Sequence, residues 1–302
     1  MLPFARVTII GLGLIGSSVA RAVRQHMPTV RITGYDADPE VRAIADRIQL
    51  CDDITDTPGA AVIDADFVIL CVPVGAMGAA AAAFADDLPA EAVVSDVGSC
   101  KESVVEALRA ALPNGIVVPA HPVAGTEKSG PEAGFASLFH HRWCIVTPPE
   151  DAPALAVERV REFWRQLGAM VETMDPAHHD RVLAITSHLP HLIAYTIVGT
   201  ASDLEEVTAS EVIKYSAGGF RDFTRIAASD PTMWRDVFLA NKEAVLDMLQ
   251  RFSEDLSALQ RAIRWGKGDE LFDLFTRTRA VRRSIIDQGQ DDARPDFGRS
   301  HD

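Results

Sequence analysis

Four groups of residues in this chain have the types and spacing to do chemistry. The first is Gly11-Leu12-Gly13-Leu14-Ile15-Gly16, preceded by a β-branched run at 6–10 and followed by a helical pattern at 17–25. A second apolar run at 30–35 ends at Asp36, about 20 positions on from the glycines, and this combination is a dinucleotide fingerprint. Gly11 makes the tight turn, Gly13 lets backbone approach a pyrophosphate, and Gly16 lets helix and strand pack closely. The phosphate charge then rests on the helix N-terminus. A carboxylate at Asp36 accepts hydrogen bonds from both ribose hydroxyls and repels a 2′-phosphate, which points to NAD rather than NADP. Arg31 and Arg42 are nearby in sequence and leave a phosphate-binding alternative open.

The second group is the loop His121-Pro122-Val123-Ala124-Gly125-Thr126-Glu127-Lys128-Ser129-Gly130. It follows an apolar run at 116–118 that reads as a buried strand, so it is expected to leave the carboxyl edge of a sheet, where open α/β folds bind ligands. In the third, Ser187-His188-Leu189-Pro190-His191, Pro190 frees the carbonyl of Thr186 and predicts a kink. His188 and His191 share a face beside it, either as packed helical histidines or as a pair with pH-tunable hydrogen bonding. The fourth spans 214–225. Gly218-Gly219 permits close approach or unusual dihedrals, and Arg221 and Arg225 stand one turn apart around Asp222. That cluster is either a solvated ion-pair face or an arginine fork for a substrate carboxylate with Asp222 holding it in place.

These groups need elements to position them. A strand at 66–72 delivers Val72 and Pro73 to the position that contacts the nicotinamide side of a cofactor, although an ordinary turn explains them equally well. A strand at 92–95 leads to Asp96-Val97-Gly98-Ser99-Cys100-Lys101-Glu102, in which Ser99 and Glu102 read as a capping box, with Ser99 also facing the crevice. Strands at 143–147 and 170–174 around a helix at 154–166 close an α/β Rossmann-type dinucleotide-binding domain over residues 1–174. From Asp175-Pro176, a helix cap, strands disappear. Asp230-Pro231 opens another helix, whose apolar positions Trp234, Phe238, Val245, Met248, Phe252, Leu256, Leu259 and Ile263 continue for about 30 residues, the length of an interhelical seam. A further amphipathic helix covers 272–286. Residues 175–287 are therefore expected to form an all-α dimerisation and substrate domain, and 288–302 a disordered tail.

Composition bounds the function. The chain has 302 residues, 47% of them apolar, and a formal net charge of −14, which argues against a nucleic-acid or anionic-membrane partner. No uninterrupted apolar run approaches the ~20 residues that cross a bilayer, and a strand beginning at Arg6 leaves no room for a signal peptide, so the expected location is cytoplasmic. Cys51, Cys71, Cys100 and Cys144 show no CxxC pairing and read as reduced structural thiols.

With these motifs in order, the chain resembles the prephenate/arogenate dehydrogenase family of tyrosine biosynthesis. The likeness rests on the glycine motif at 11–16, Asp-Val-Gly-Ser at 96–99, His-Pro-Val-Ala-Gly-Thr-Glu-Lys-Ser-Gly at 121–130, Ser-His-Leu-Pro-His at 187–191 and Gly-Gly-Phe-Arg-Asp-Phe-Thr-Arg-Ile-Ala at 218–227. It implies NAD-dependent oxidative decarboxylation of prephenate to 4-hydroxyphenylpyruvate by a homodimer, with no metal. By the same likeness His121 matches the family's catalytic histidine and Arg225 the arginine that binds the ring carboxylate. Ser99, His188, His191, Gly218 and Trp234 match the substrate-binding set, and Glu127 and Asp222 a supporting ionic network. The alternatives are an arogenate or dual-specificity cyclohexadienyl dehydrogenase, a β-hydroxyacid dehydrogenase, and a non-catalytic NAD(H) sensor. The β-hydroxyacid reading leaves the His121 loop unexplained. The sensor reading leaves His121 and the Arg225 cluster without a task.

Overall fold

The computed structural model describes residues 2–126, 128–203 and 217–287, so Glu127, the stretch at 204–216 and the tail at 288–302 lie outside the described residues. Six strands, β1 (Arg6–Ile10), β2 (Arg31–Tyr35), β3 (Asp53–Ile54), β4 (Phe67–Leu70), β5 (Val93–Asp96) and β6 (Ile116–Val117), form one parallel sheet in the order β3-β2-β1-β4-β5-β6. That order reverses between β1 and β4, and the crevice outside their carboxyl ends is where such sheets take a dinucleotide.

Both faces are covered, which is why the central strands are apolar without alternation. Phe67 and Ile69 point into a core with Val7, Ile9, Phe163 and Trp164, while Val68 and Leu70 point into a second core with Met77, Val104 and Leu108. The crossovers include α1 (Leu14–His26), α2 (Pro39–Arg47), α3 (Pro58–Val62), α4 (Met77–Ala82) and α5 (Glu102–Ala111).

Three expectations are corrected here. His121 is not in a loop but in β7 (Ala120–Pro122), which pairs antiparallel with β8 (Trp143–Val146). β8 in turn pairs parallel with β9 (Met170–Thr173) across α6 (Ala154–Gln166), so these strands form a separate three-stranded sheet rather than extending the first. The capping box at Ser99 and Glu102 does not form: α5 starts at Glu102 with no side-chain cap from its own segment, and the carboxylate of Asp180 caps it from a distant helix.

Asp175 caps α7 (Pro176–Leu183) as expected, accepting from the His178 amide at 3.0 Å. A π-helical turn, Ala184–His188, precedes α8 (Leu189–Asp203), so the freed carbonyls near Pro190 are absorbed as a bulge. This continuous helical run, Pro176–Asp203, contains an 18-residue window of mean hydropathy 1.4, long and apolar enough by length and composition to cross a bilayer. A reading of uninterrupted apolar runs passes it over, because polar residues punctuate it. Only 28% of that window is buried within the chain.

Helix α9 (Gly218–Thr224) begins directly at the glycine pair; neither glycine has a positive φ or a close neighbour among the described residues, so the pair serves as an ordinary helix start. The expected long helix from Asp230 is two, α10 (Pro231–Ala240) and α11 (Lys242–Arg264), broken at Asn241, whose side chain is committed to buried hydrogen bonds. The last is α12 (Gly268–Asp287).

By packing, the chain divides into two compact units, Met1–Leu246 and Asp247–Asp302. This differs from the division expected after residue 174, which follows the switch from strands to helices rather than compactness. Every candidate site residue that the structure describes lies in the first unit.

Candidate functional site

The glycine loop has the shape a dinucleotide needs. Gly11 holds φ at +98°, and a Cβ there would meet the Cys71 carbonyl oxygen at 2.5 Å. A Cβ on Gly16 would overlap the Gly11 carbonyl, so this glycine lets α1 close on β1, whereas Gly13 has nothing within 4 Å of a Cβ and leaves its backbone open. Leu12, Leu14 and Ile15 complete the turn into α1. At the end of β2, Asp36 accepts the Leu12 amide at 2.7 Å and the Asp38 amide at 3.0 Å, which fixes its carboxylate against the loop. The arginines that left a phosphate alternative open are occupied. Arg31 pairs with Asp53 at 2.7 Å, and Arg42 donates to the Asp36 carbonyl at 2.8 Å. Val72 and Pro73 follow β4 at the same sheet edge, and Pro73 leads into a short 3₁₀ turn, Val74–Ala76.

Beyond that edge lies a buried polar network. His121 Nδ1 is 2.8 Å from His179 Nε2, and His179 Nδ1 is 2.8 Å from Asp180 Oδ1. Asp180 reaches across to the start of α5, accepting the backbone amides of Lys101 at 2.8 Å and Glu102 at 3.0 Å. The Lys101 ammonium is fully buried; it donates to Asp96 Oδ2 at 2.6 Å and to the Ala120 carbonyl at 2.8 Å, one residue before His121. Asn241 Nδ2 joins the Asp180 carbonyl at 2.8 Å to His188 Nδ1 at 3.0 Å.

The second cluster grows from His188. It lies edge-on to Trp234, with ring centroids 6.1 Å apart, and His191 stacks on the same indole at 3.7 Å. His191 Nδ1 is 2.9 Å from the Ser187 carbonyl, which orients its ring. Trp234 Nε1 is buried and has no hydrogen-bond partner among the described residues, which makes it a natural point for a ligand's polar atom, whereas His188 also interacts with the Ser99 backbone. Trp234 packs with Cys100 and Val74, so this cluster adjoins both the Ser99 turn and the segment after Pro73.

Burial disfavours the charged form of these histidines. Burial, then the proximity of His179 and Lys101, holds His121 well below the ordinary histidine range. Burial pushes His188 down to about 4, opposed by Asp180. His191 is lowered by burial and, more weakly, by the positive charge of Arg225, which places that guanidinium within electrostatic reach of the stack.

The structure thus brings together Ser99, His121, His188, His191, Arg225 and Trp234. Gly218 sits exposed at the start of α9, with nothing within 4 Å of a Cβ, and Asp222 lies one turn further along that helix. Sequence reasoning missed Asp96, Lys101, His179, Asp180 and Asn241. A signal for one of them existed: Asp180 falls on the same helical stripe as buried Leu183 and Ala184, and a charge on an apolar stripe needs a partner.

The chain is similar to known proteins over most of its length. Residues 19–173 match the family model described as prephenate dehydrogenase, nucleotide-binding domain, and residues 175–277 that of prephenate dehydrogenase, dimerization domain. The chain is 45% identical over 285 residues to the cyclohexadienyl dehydrogenase of Zymomonas mobilis, covering 94% of this chain and 97% of that one. It is 33% identical to the prephenate dehydrogenase of Bacillus subtilis, over 92% of this chain and 76% of that one. The crystal structure of prephenate dehydrogenase from Aquifex aeolicus, in complex with hydroxyphenyl propionate and NAD+, superposes with a TM-score of 0.87 at 35% identity, covering 94% and 98% of the two chains.

Proposed function

Because the chain belongs to the prephenate dehydrogenase family, we propose that it oxidatively decarboxylates prephenate, with NAD as the hydride acceptor, in aromatic amino-acid biosynthesis. The carrying observation is a buried histidine, His121, held by burial well below the ordinary histidine range, on the strand that Lys101 ties to Asp96 at the carboxyl end of β5, in a chain that also carries a glycine cradle for a dinucleotide. The loop 11–16 and Asp36 hold the dinucleotide, with Val72 and Pro73 on its nicotinamide side. The engagement of Arg31 and Arg42 by other groups favours NAD over NADP. Bound there, NAD supplies the acceptor for the hydride on C4 of prephenate.

The protein's own groups handle the rest. His121 takes the C4 hydroxyl proton as the hydride leaves, producing a dienone. The bond from C1 to its carboxylate then breaks; its electron pair aromatises the ring, CO2 departs, and the phenolate oxygen recovers the proton. Charge and atoms balance with no further co-reactant. Arg225 grips the ring carboxylate, and Ser99, His188, His191, Gly218 and Trp234 line the substrate, with Glu127 and Asp222 in support. A tight arginine–carboxylate pair stabilises the ground state against decarboxylation, so Arg225 serves binding more than the chemical step.

The 45% likeness to an enzyme named cyclohexadienyl dehydrogenase favours one second reading, in which arogenate is accepted as well. Initial rates of NADH formation, with prephenate or arogenate and NAD or NADP, decide between them. Turnover with prephenate and NAD is expected; turnover with arogenate alone overturns the substrate assignment, and no turnover with either, despite NAD binding, promotes the sensor.

The protein acts as a homodimer. The apolar run Pro176–Asp203 exposes Ile185, Ile197 and Val198, and in the second unit Ile263, Trp265, Phe272 and Phe275 are exposed, large apolar side chains that a partner would cover. A second copy covers them, which makes the run an interface rather than a bilayer span. Sedimentation is expected to give twice the chain mass of 32.7 kDa, and a monomer at micromolar concentration would refute the dimer.

A further inference from the structure

In the chain of hydrogen bonds from His121 through His179 to Asp180, proton order is fixed by the member with no proton to give. Asp180 accepts two backbone amides at the start of α5, and a carboxylate so engaged is an acceptor only. His179 Nδ1, 2.8 Å from Asp180 Oδ1, therefore carries a proton. Burial holds His179 below the ordinary histidine range, and in the neutral form this favours, with the Nδ1 proton directed at Asp180, Nε2 presents a lone pair. His121 Nδ1, 2.8 Å from that lone pair, must then be the donor. A neutral imidazole with Nδ1–H has a bare Nε2.

We propose that His179, oriented by Asp180, is a positioning residue that sets the tautomer of His121, so that Nε2 and not Nδ1 receives the substrate proton. The inference rests on the reading of His121 as the proton acceptor. It gives His179 and Asp180 a task that capping α5 alone does not require, since a cap needs only the Asp180 carboxylate and not a histidine bridging to His121. The same order serves the charged state. When His121 becomes an imidazolium, its Nδ1–H still points at a lone pair backed by a carboxylate, which offsets a positive charge forming in a buried site.

The test compares His179→Leu with His179→Gln. Glutamine places an amide oxygen where it accepts from His121 Nδ1–H and an amide N–H toward Asp180, whereas leucine offers neither. His179→Leu is expected to lower kcat about 10²-fold or more, with the Kd for NADH unchanged, and His179→Gln to recover at least about tenfold of that loss. Nitrogen-15 spectra of ring-labelled histidine read the tautomer without turnover. Wild type is expected to show His121 protonated at Nδ1 and bare at Nε2, and His179→Leu to lose that preference. A wild-type spectrum with Nε2 protonated overturns the proposal, as does equal kcat in the two variants. Should His179→Leu fail to fold by circular dichroism, the wild-type spectrum and the activity of His179→Gln still decide. If wild type turns over neither cyclohexadienyl substrate yet shows the Nδ1–H tautomer, it is the functional reading that fails, while the proton order set by His179 and Asp180 stands.

Discussion

His121→Asn lowers kcat by about 10²- to 10⁴-fold while leaving NAD affinity intact, the range removed with a positioned general base. Asparagine is the informative substitution because its amide nitrogen occupies roughly the place of Nδ1 and keeps a donor toward His179 Nε2, 2.8 Å away in the wild type, while Nε2 is deleted. The strand pairing of β7 with β8 involves backbone only and survives. The pH profile gives an independent reading. The ring of His121 is hemmed in by burial, by His179 and by the Lys101 and His188 side chains, so its free-enzyme pKa lies well below the ordinary 6.5. A base is lost on protonation, so kcat/KM of the wild type is expected to hold as pH falls through 6.5 and to drop only well below it, and this limb disappears in His121→Asn. Steady-state rates within tenfold of wild type in the variant would sink the assignment, and a wild-type limb centred at or above 6.5 would show that the ring is not desolvated.

How much of this was legible in the sequence follows from the range of the interactions. The glycine loop, Asp36 and the Asp175 and Asp230 caps are set by residues a few positions apart, and the structure reproduces them. The candidate residues His188, His191 and Trp234 do converge, but their stack joins α8 to α10 and is invisible to periodicity. Failure occurred where a local rule met a distant competitor. Ser99 and Glu102 fit a capping box, yet Asp180, 78 positions from Glu102, takes the amide. The apolar repeat from Trp234 to Ile263 reads through Asn241, whose buried amide is worth more in bridging Asp180 to His188 than the helix gains by continuing. Lys101 stood in plain sight between Cys100 and Glu102. Nothing in a sequence says that a lysine is fully buried.

That lysine supports the prediction with the largest stability effect. Lys101 and Asp96 form an ion pair at 2.6 Å with both side chains at 0% exposure. Replacing such a pair by apolar groups is often nearly neutral, but removing one partner strands the other's charge and costs about 3–5 kcal/mol. Lys101→Met keeps the aliphatic stem and removes the ammonium, so Asp96 is left with backbone support alone, from the Gly98 amide at 2.7 Å and from Ala120. The thermal midpoint is expected to fall by roughly 6 to 20 °C. The pH dependence has a definite sign. Burial already raises Asp96 above the ordinary carboxylate range despite the opposing lysine. Without the lysine it rises further, so the folded state binds a proton that the unfolded chain has released, and stability drains away as pH climbs from about 4 toward the raised value. The deficit of Lys101→Met relative to wild type is therefore larger near neutrality than in mild acid. Asp96→Asn in the Lys101→Met background removes the stranded charge and is expected to restore a large part of the loss. Activity follows a different course: the Ala120 carbonyl loses its ammonium partner in both variants, so β7 and His121 lose the same restraint, and kcat stays depressed even where the double variant regains its stability. Chemical denaturation of the three proteins at two pH values tests this. A pH-independent deficit, or a double variant no more stable than Lys101→Met, would show that the pair is not desolvated and that Lys101 holds the site by packing alone.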